Sequence, residues 1–349
     1  MQGKMKVALM TDLEKINIVE RDIPQPKPDE VLVKLEYVGV CGSDLHYYEH
    51  GRIGDFIVQF PFVLGHEAGG VVVETGSQVK HLKPGDRVAL EPGKTCGCCE
   101  FCKTGRYNLC PDVIFFATPP VDGVFQEYVA HEANLCFKLP DNVNTMEGAL
   151  IEPLAVGFHA AITAGAKMGQ TALVTGSGCI GLVSMLALKA LGVSQIFVSD
   201  VVKKRLEKAK ALGASEVINV AEKDLIKTVK KLSGGKGLDL VIETSGAETA
   251  AAGGIGVLKK GGTLMVVGYS QTGMMNLPMG QALDKELTIK TIFRYRHVYP
   301  LAIDAVANGK VDIKNIVTNV FDFDDIQNAL DKSIHNKAEI VKSVIKIAK

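Results

Sequence analysis

Short apolar runs alternating with polar positions dominate the first part of the chain. Residues 5–10, 31–40, 68–74 and 87–91 each read as a strand, with punctuation at Pro24-Gln-Pro26-Lys-Pro28 and Pro84-Gly85. Runs of this kind with little helical periodicity predict an antiparallel, barrel-like domain up to roughly residue 150. From Gly169 the period changes. Apolar strands and helices succeed one another at 171–175, 180–191, 196–200, 202–212, 216–219, 239–243 and 263–268, the alternation of a parallel sheet covered by helices. Past about residue 295 the pattern loosens into a helix at 300–308, a short strand near 316–321, a helix near 323–334 and an apolar strand at 343–347. Such a tail can rejoin the first domain, which would make the helix-rich unit an insertion with a cleft beside it.

Composition narrows the classes. A chain of 349 residues with 47% hydrophobic and 22% charged residues suits a folded, two-domain protein. Lys plus Arg and Asp plus Glu both number 39, so there is no basic excess to hold nucleic acid or an anionic membrane. The N-terminus lacks a basic stretch followed by an apolar core, and no run approaches the roughly 18 apolar residues of a membrane span. Five of the eight cysteines fall between Cys96 and Cys110. A secreted disulfide scaffold would be shorter and spread them differently, so the expectation is a metal site in a cytoplasmic protein.

Gly176-Ser-Gly178-Cys-Ile-Gly181 follows the run 171–175 and opens an apolar helix. That context gives the G-x-G-x-x-G pattern its meaning: the first glycine makes a tight turn, the second lets backbone approach a pyrophosphate, and the third allows close helix packing. The helix N-terminus then offers unpaired N–H groups to phosphate. Asp200 ends the next strand, about 20 residues on, where a carboxylate accepts from both ribose hydroxyls and repels a 2′-phosphate. NAD is therefore expected rather than NADP. Arg205 complicates this, because it could bind a 2′-phosphate, stack on adenine or cover its helix.

Cys96, Cys99, Cys102 and Cys110 form C-x2-C-x2-C-x7-C, a spacing that lets one loop wrap four thiolates around a tetrahedral zinc at about 2.3 Å. Four protein ligands leave no open position, so this zinc is expected to be structural. Cys98 is a spare thiol that could swap with Cys99; disulfides or an iron–sulfur cluster are the alternatives. A second set is dispersed: Cys41, His66, Glu67 and Glu152. Taken singly each has a bland explanation as a buried thiol, a satisfied histidine or a paired carboxylate.

These segments resemble the zinc-containing medium-chain alcohol dehydrogenases, and within them the sorbitol dehydrogenase branch, over essentially the whole chain. The resemblance rests on Cys41-Gly-Ser-Asp-Leu-His-Tyr-Tyr48 with Gly51-Arg-Ile-Gly54, on Pro61-Phe-Val-Leu-Gly-His-Glu67, and on Gly85-Asp-Arg-Val88. It continues through Gly105-Arg-Tyr-Asn-Leu109, Ala117-Thr-Pro-Pro120, Ala149-Leu-Ile-Glu-Pro153, Gly176–Gly181 and Phe293-Arg-Tyr295. It implies an α/β protein: a GroES-like antiparallel β-barrel catalytic domain over 1–155 and 296–349, and a Rossmann doubly wound NAD domain over 156–295. It also implies a catalytic zinc on Cys41, His66 and a glutamate, with water or substrate in the fourth place. Glu152 stands where primary-alcohol relatives commonly carry Cys, an exchange that makes the site harder and more polar and suits a polyol. Glu152 would bind zinc directly or through water, Glu67 would be an alternate or outer ligand, and Asp44 would orient the His66 imidazole. Animal members of that branch lack the complete four-cysteine loop and bacterial ones retain it, so the resemblance implies a bacterial chain with two zinc ions.

The same resemblance implies proton relay through Ser43, the nicotinamide ribose and His46, although both residues could simply stabilise their turn. Tyr47, Glu152, Arg294 and Tyr295 would contact substrate, whose several hydroxyls such groups select over simple alcohols. Gly176, Gly178, Ile180, Gly181, Asp200, Arg205, Val267, Gly268 and Phe293 would line the cofactor site. The expected reaction is NAD-dependent oxidation of a secondary hydroxyl of sorbitol, xylitol or a similar polyol to the ketose, by a homotetramer with neither nucleic acid nor membrane as partner. A zinc dehydrogenase of threonine, butanediol or another secondary alcohol shares both metal motifs. A noncatalytic NAD- and zinc-binding protein is the remaining class, disfavoured because binding alone needs no open zinc.

Overall fold

The strand Glu30–Gly39 is apolar on both faces at its start, and burying Val31, Leu32, Val33, Leu35 and Val38 makes it the centre of the first unit. In the computed structural model, which describes residues 1–270 and 272–348, Glu67–Thr75 pairs antiparallel along its length. Its other edge is shared, Tyr128–Glu132 taking residues 30–34 and Ser343–Lys346 taking 37–39. The sheet runs Cys136–Lys138, Arg87–Leu90, Glu67–Thr75, Glu30–Gly39, Ser343–Lys346, Asn319–Asp322. A second, smaller sheet joins Lys15–Asp22, Lys4–Asp12 and Phe62–Val63.

The tail enters this core through a helix. Ile326–His335 buries Ile326, Ala329, Leu330, Ser333 and Ile334, a one-face pattern at helical spacing. The helix carries the chain from Asn319–Asp322 to Ser343–Lys346, which lie parallel, so the sheet is antiparallel apart from this pair. This first unit comprises Met1–Glu152, Tyr299–Ala307 and the chain from Val317 onward.

The second unit comprises Pro153–Val298 and Asn308–Ile316. Its six strands are all parallel, in the order Glu216–Asn219, Gln195–Asp200, Thr171–Thr175, Leu238–Glu243, Leu258–Val266, Thr288–Thr291. Leu173, Val174, Val241 and Ile242 are fully enclosed, as central strands covered on both faces must be. The chain winds outward from Thr171–Thr175 in one direction and then from Leu238–Glu243 in the other. A crevice therefore opens past the carboxyl ends of those two strands, the usual ligand position in this topology.

Several elements differ from the sequence expectation. Lys15–Asp22 is a strand despite its exposed, polar character, because it is the hairpin partner of Lys4–Asp12. The strand expected at 263–268 starts earlier, at Leu258, and ends at Val266, and the stretch near 316–321 divides into a 3-10 turn, Lys314–Ile316, and the strand Asn319–Asp322. No helix among the described residues is long and apolar enough to cross a membrane.

Candidate metal and dinucleotide sites

In the first unit Cys41 caps the helix Gly42–His50, and the third residue of that helix, Asp44, reaches back to the Cys41 N–H at 2.9 Å. The other Asp44 oxygen accepts the Gly65 N–H at 2.9 Å. One buried carboxylate thus ties the segment of Cys41 to that of His66. The His66 Nδ1 faces Asp44 Oδ1 at 3.5 Å and meets no partner at hydrogen-bonding geometry. Ligand atoms of Cys41, His66 and Glu67 lie within 4.8 Å of one another.

Burial disfavours a charged His66 ring, yet Asp44 and Cys41 outweigh it and push the pKa well above its usual value. A buried imidazole to which a half-buried thiol and a buried carboxylate draw positive charge fits a divalent metal such as zinc. Glu152 is not part of the three-residue group. It is buried in the first turn of the helix Ile151–Ala164.

Glu67 has a partner that the sequence did not announce. Lys342, 2% exposed, forms an ion pair with Glu67, 1% exposed, and also donates to the Val40 carbonyl at 2.9 Å. Gly39 makes room for the pair, since a Cβ there would stand 2.0 Å from Glu67 Oε2. Lys342 lies in a run of ordinary composition more than 300 residues from Val40, and no motif marks it. Ser43 is half-buried and His46 exposed in the Cys41 helix. Burial chiefly, and then the charge of His50, lowers the His46 pKa. Tyr47 is buried, its ring 6.4 Å from that of Phe62.

The four loop cysteines Cys96, Cys99, Cys102 and Cys110 also bring their sulfurs within 4.8 Å of one another. Backbone N–H groups point at the sulfurs: Cys99 N to Cys96 Sγ at 3.3 Å, Cys102 N to Cys99 Sγ at 3.5 Å, and Cys96 N to Cys110 Sγ at 3.5 Å. The N–H groups of Cys98 and Cys99 draw the Cys96 thiol down to about 6. Cys99 is pushed up to about 12; the Cys102 N–H favours its thiolate, but desolvation and the adjoining thiols outweigh it. Sulfurs so crowded ionise together only around a cation, so the set fits a closed tetrahedral zinc. Cys98 is exposed beside it. The loop is moored by Tyr107, whose hydroxyl donates to buried Glu91 at 2.9 Å.

In the second unit the first and third glycines of the turn act as their spacing suggests. Gly176 turns with φ +86°, and a Cβ on Gly181 would stand 1.9 Å from the Gly176 carbonyl, so only glycine lets the helix Cys179–Ala190 start there. A cavity of about 700 Å³ lies beside this turn, lined by Gly176, Gly178, Asp200, Arg205, Lys223 and Thr244 among others. Ile180 is half-buried in the first turn of the helix. Val267 and Gly268 donate their N–H groups to the Glu243 carbonyl at 2.8 and 3.0 Å. Arg294 has φ +52° and its guanidinium lies 4.9 Å from the Phe293 ring centroid, with Tyr295 buried next to it. His159 is a buried group that no motif singled out; burial, then Arg296 and His297, take its pKa down to about 4.

Two family profiles match the chain: the alcohol dehydrogenase GroES-like domain over residues 27–141 and the zinc-binding dehydrogenase domain over 179–308. Sorbitol dehydrogenase of Bos taurus is 48% identical over 89% of this chain and 88% of its own. Sorbitol dehydrogenase of Bacillus subtilis is 42% identical over 98% and 97%. Among solved structures, an Escherichia coli oxidoreductase/dehydrogenase of unknown specificity superposes with a TM-score of 0.94 at 42% identity, covering 99% of this chain and 100% of that one.

Proposed function

This chain belongs to the zinc-binding alcohol dehydrogenase family, and we propose that it oxidises a secondary hydroxyl of a small polyol, such as sorbitol or xylitol, to the ketose with NAD as acceptor. The observation that carries the reading is the convergence of half-buried Cys41 with buried His66 and Glu67, each offering a different kind of donor atom. The sorbitol dehydrogenases among its relatives support the substrate class.

Zinc bound there supplies a Lewis acid that makes a hydroxyl acidic near neutral pH, and NAD supplies the hydride acceptor. The chain's own residues do the rest. Cys41 and His66 would hold the metal together with a glutamate, Glu67 from the same group or Glu152, leaving one place open, and Cys96, Cys99, Cys102 and Cys110 would hold a second zinc without one. Ser43 and His46 would carry the proton outward, a task suited by a half-buried hydroxyl followed by an exposed imidazole whose lowered pKa keeps it ready to accept. Tyr47, Glu152, Arg294 and Tyr295 would match the several hydroxyls of the substrate, so that a monohydric alcohol leaves them unmet. Gly176, Gly178 and Gly181 would admit the pyrophosphate and Asp200 the adenosine ribose.

The enzyme in this reading is a cytoplasmic homotetramer. Reduced thiols in both metal sites support the compartment; light scattering should return four times the chain mass. The central test is NAD reduction with sorbitol, xylitol, galactitol, threonine and 2,3-butanediol. A polyol should give the highest kcat/KM. Threonine or butanediol in first place would overturn the polyol assignment while leaving the family intact.

A further inference from the structure

Asp200 ends its strand with both carboxylate oxygens engaged. Oδ2 accepts from the Ser177 N–H at 2.6 Å and from the Ser177 hydroxyl at 2.9 Å, and Oδ1 accepts from the Val202 N–H at 2.9 Å. Ser177 sits between Gly176 and Gly178 and is 0% exposed, so its hydroxyl has no water to turn to. The middle position of a G-x-G turn carries no requirement of its own in the dinucleotide fingerprint, which offers no reason to single this serine out. Here it joins the phosphate-facing turn to the carboxylate at the end of the neighbouring strand.

The surroundings give that link a consequence. Arg205 and Lys223 line the same cavity as Asp200, and Arg205 Nη1 lies 3.9 Å from where a Cβ on Gly178 would stand. A carboxylate short of one donor gains freedom to turn toward these cations. Its charge would then neutralise a side chain instead of opposing a 2′-phosphate, and the cation's charge would be spent as well. We propose that Ser177 is a specificity-determining residue that acts through Asp200, holding the carboxylate in the orientation that favours NAD over NADP. The inference rests on the reading of Asp200 as the ribose-binding carboxylate.

The test is calorimetric binding of NADH and of NADPH to the zinc-loaded protein, to its Ser177→Ala and Asp200→Ala variants and to the double variant. Ser177→Ala should raise the Kd for NADH about three- to tenfold, the worth of one charge-assisted hydrogen bond, and leave that for NADPH within about twofold. In the Asp200→Ala background the same serine change should move the NADH/NADPH ratio by less than about twofold, because two residues acting as one unit are not additive. Ser177→Cys keeps the size and weakens the donor; it should shift the ratio in the same direction, and serves if the alanine variant is insoluble. Equal weakening of both cofactors, or a ratio change that persists without Asp200, would make Ser177 a turn residue only and overturn the proposal. An unaltered ratio in Ser177→Ala with a relaxed one in Asp200→Ala overturns the role of Ser177 alone. An unaltered ratio in Asp200→Ala overturns the ribose reading beneath it.

Discussion

Lys342 and Glu67 form an ion pair with almost no water around it, and a pair of that kind is costly to break from one side. Lys342→Met would leave a buried carboxylate without its cation and should lower the unfolding free energy by about 3–5 kcal/mol, read by denaturant titration. Lys342→Met combined with Glu67→Gln should recover most of it, since two neutral side chains of similar size remain. A single variant as stable as the wild type would mean that the two side chains are not an ionised pair in the fold. Glu152 poses a question of chemistry rather than stability. If it both serves the metal and meets the polyol, Glu152→Cys should keep zinc, because a thiolate is an adequate ligand, yet lose polyol turnover far more than 2-butanol turnover. The comparison is a ratio of kcat/KM values, so general damage cancels. Equal losses on both substrates would leave Glu152 a metal-site residue only.

At the scale of elements, the cysteine loop was legible because all four thiols fall within one short stretch, where backbone alone can bring them together. Cys102→Ser should therefore cost solubility and one zinc, whereas a soluble variant with unchanged zinc would contradict a structural role. What anchors the loop was not legible. Burial raises the Glu91 carboxyl to about 7, although the Tyr107 hydroxyl donates to it and pulls the other way. A carboxyl with a raised pKa in the folded state holds its proton more tightly there than in the unfolded chain. Its contribution to stability is complete below the unfolded value of 4.5 and is lost as pH rises through about 7. The difference in unfolding free energy between wild type and Glu91→Gln should therefore change by up to about 3 kcal/mol across that window. Parallel pH profiles for the two proteins would show that Glu91 titrates normally.

For the molecule as a whole, two separate ligand groups lead to one countable expectation: elemental analysis of freshly purified protein should give close to two zinc ions per chain. A single zinc that disappears with Cys102→Ser would leave the Cys41 group without a metal. The sequence by itself determined the properties that consecutive residues control. Short apolar runs bounded by Gly and Pro marked Glu30–Gly39 and Glu67–Thr75, the change to strand and helix marked the parallel sheet, and the glycine turn marked the crevice at its carboxyl edge. Those signals survive because backbone geometry ties side-chain direction to sequence spacing over a few residues. Only the tertiary structure decided that Ser343–Lys346 completes the edge of Glu30–Gly39, that Lys342 comes to rest on Glu67, and that Ser177 reaches Asp200. Each is a contact between residues far apart in sequence, from 23 positions for Ser177 and Asp200 to more than 300 for the register pair Tyr37 and Lys346. Such contacts arise where packed strands exclude water and leave polar groups no partner but one another, and no local period records which residues those will be.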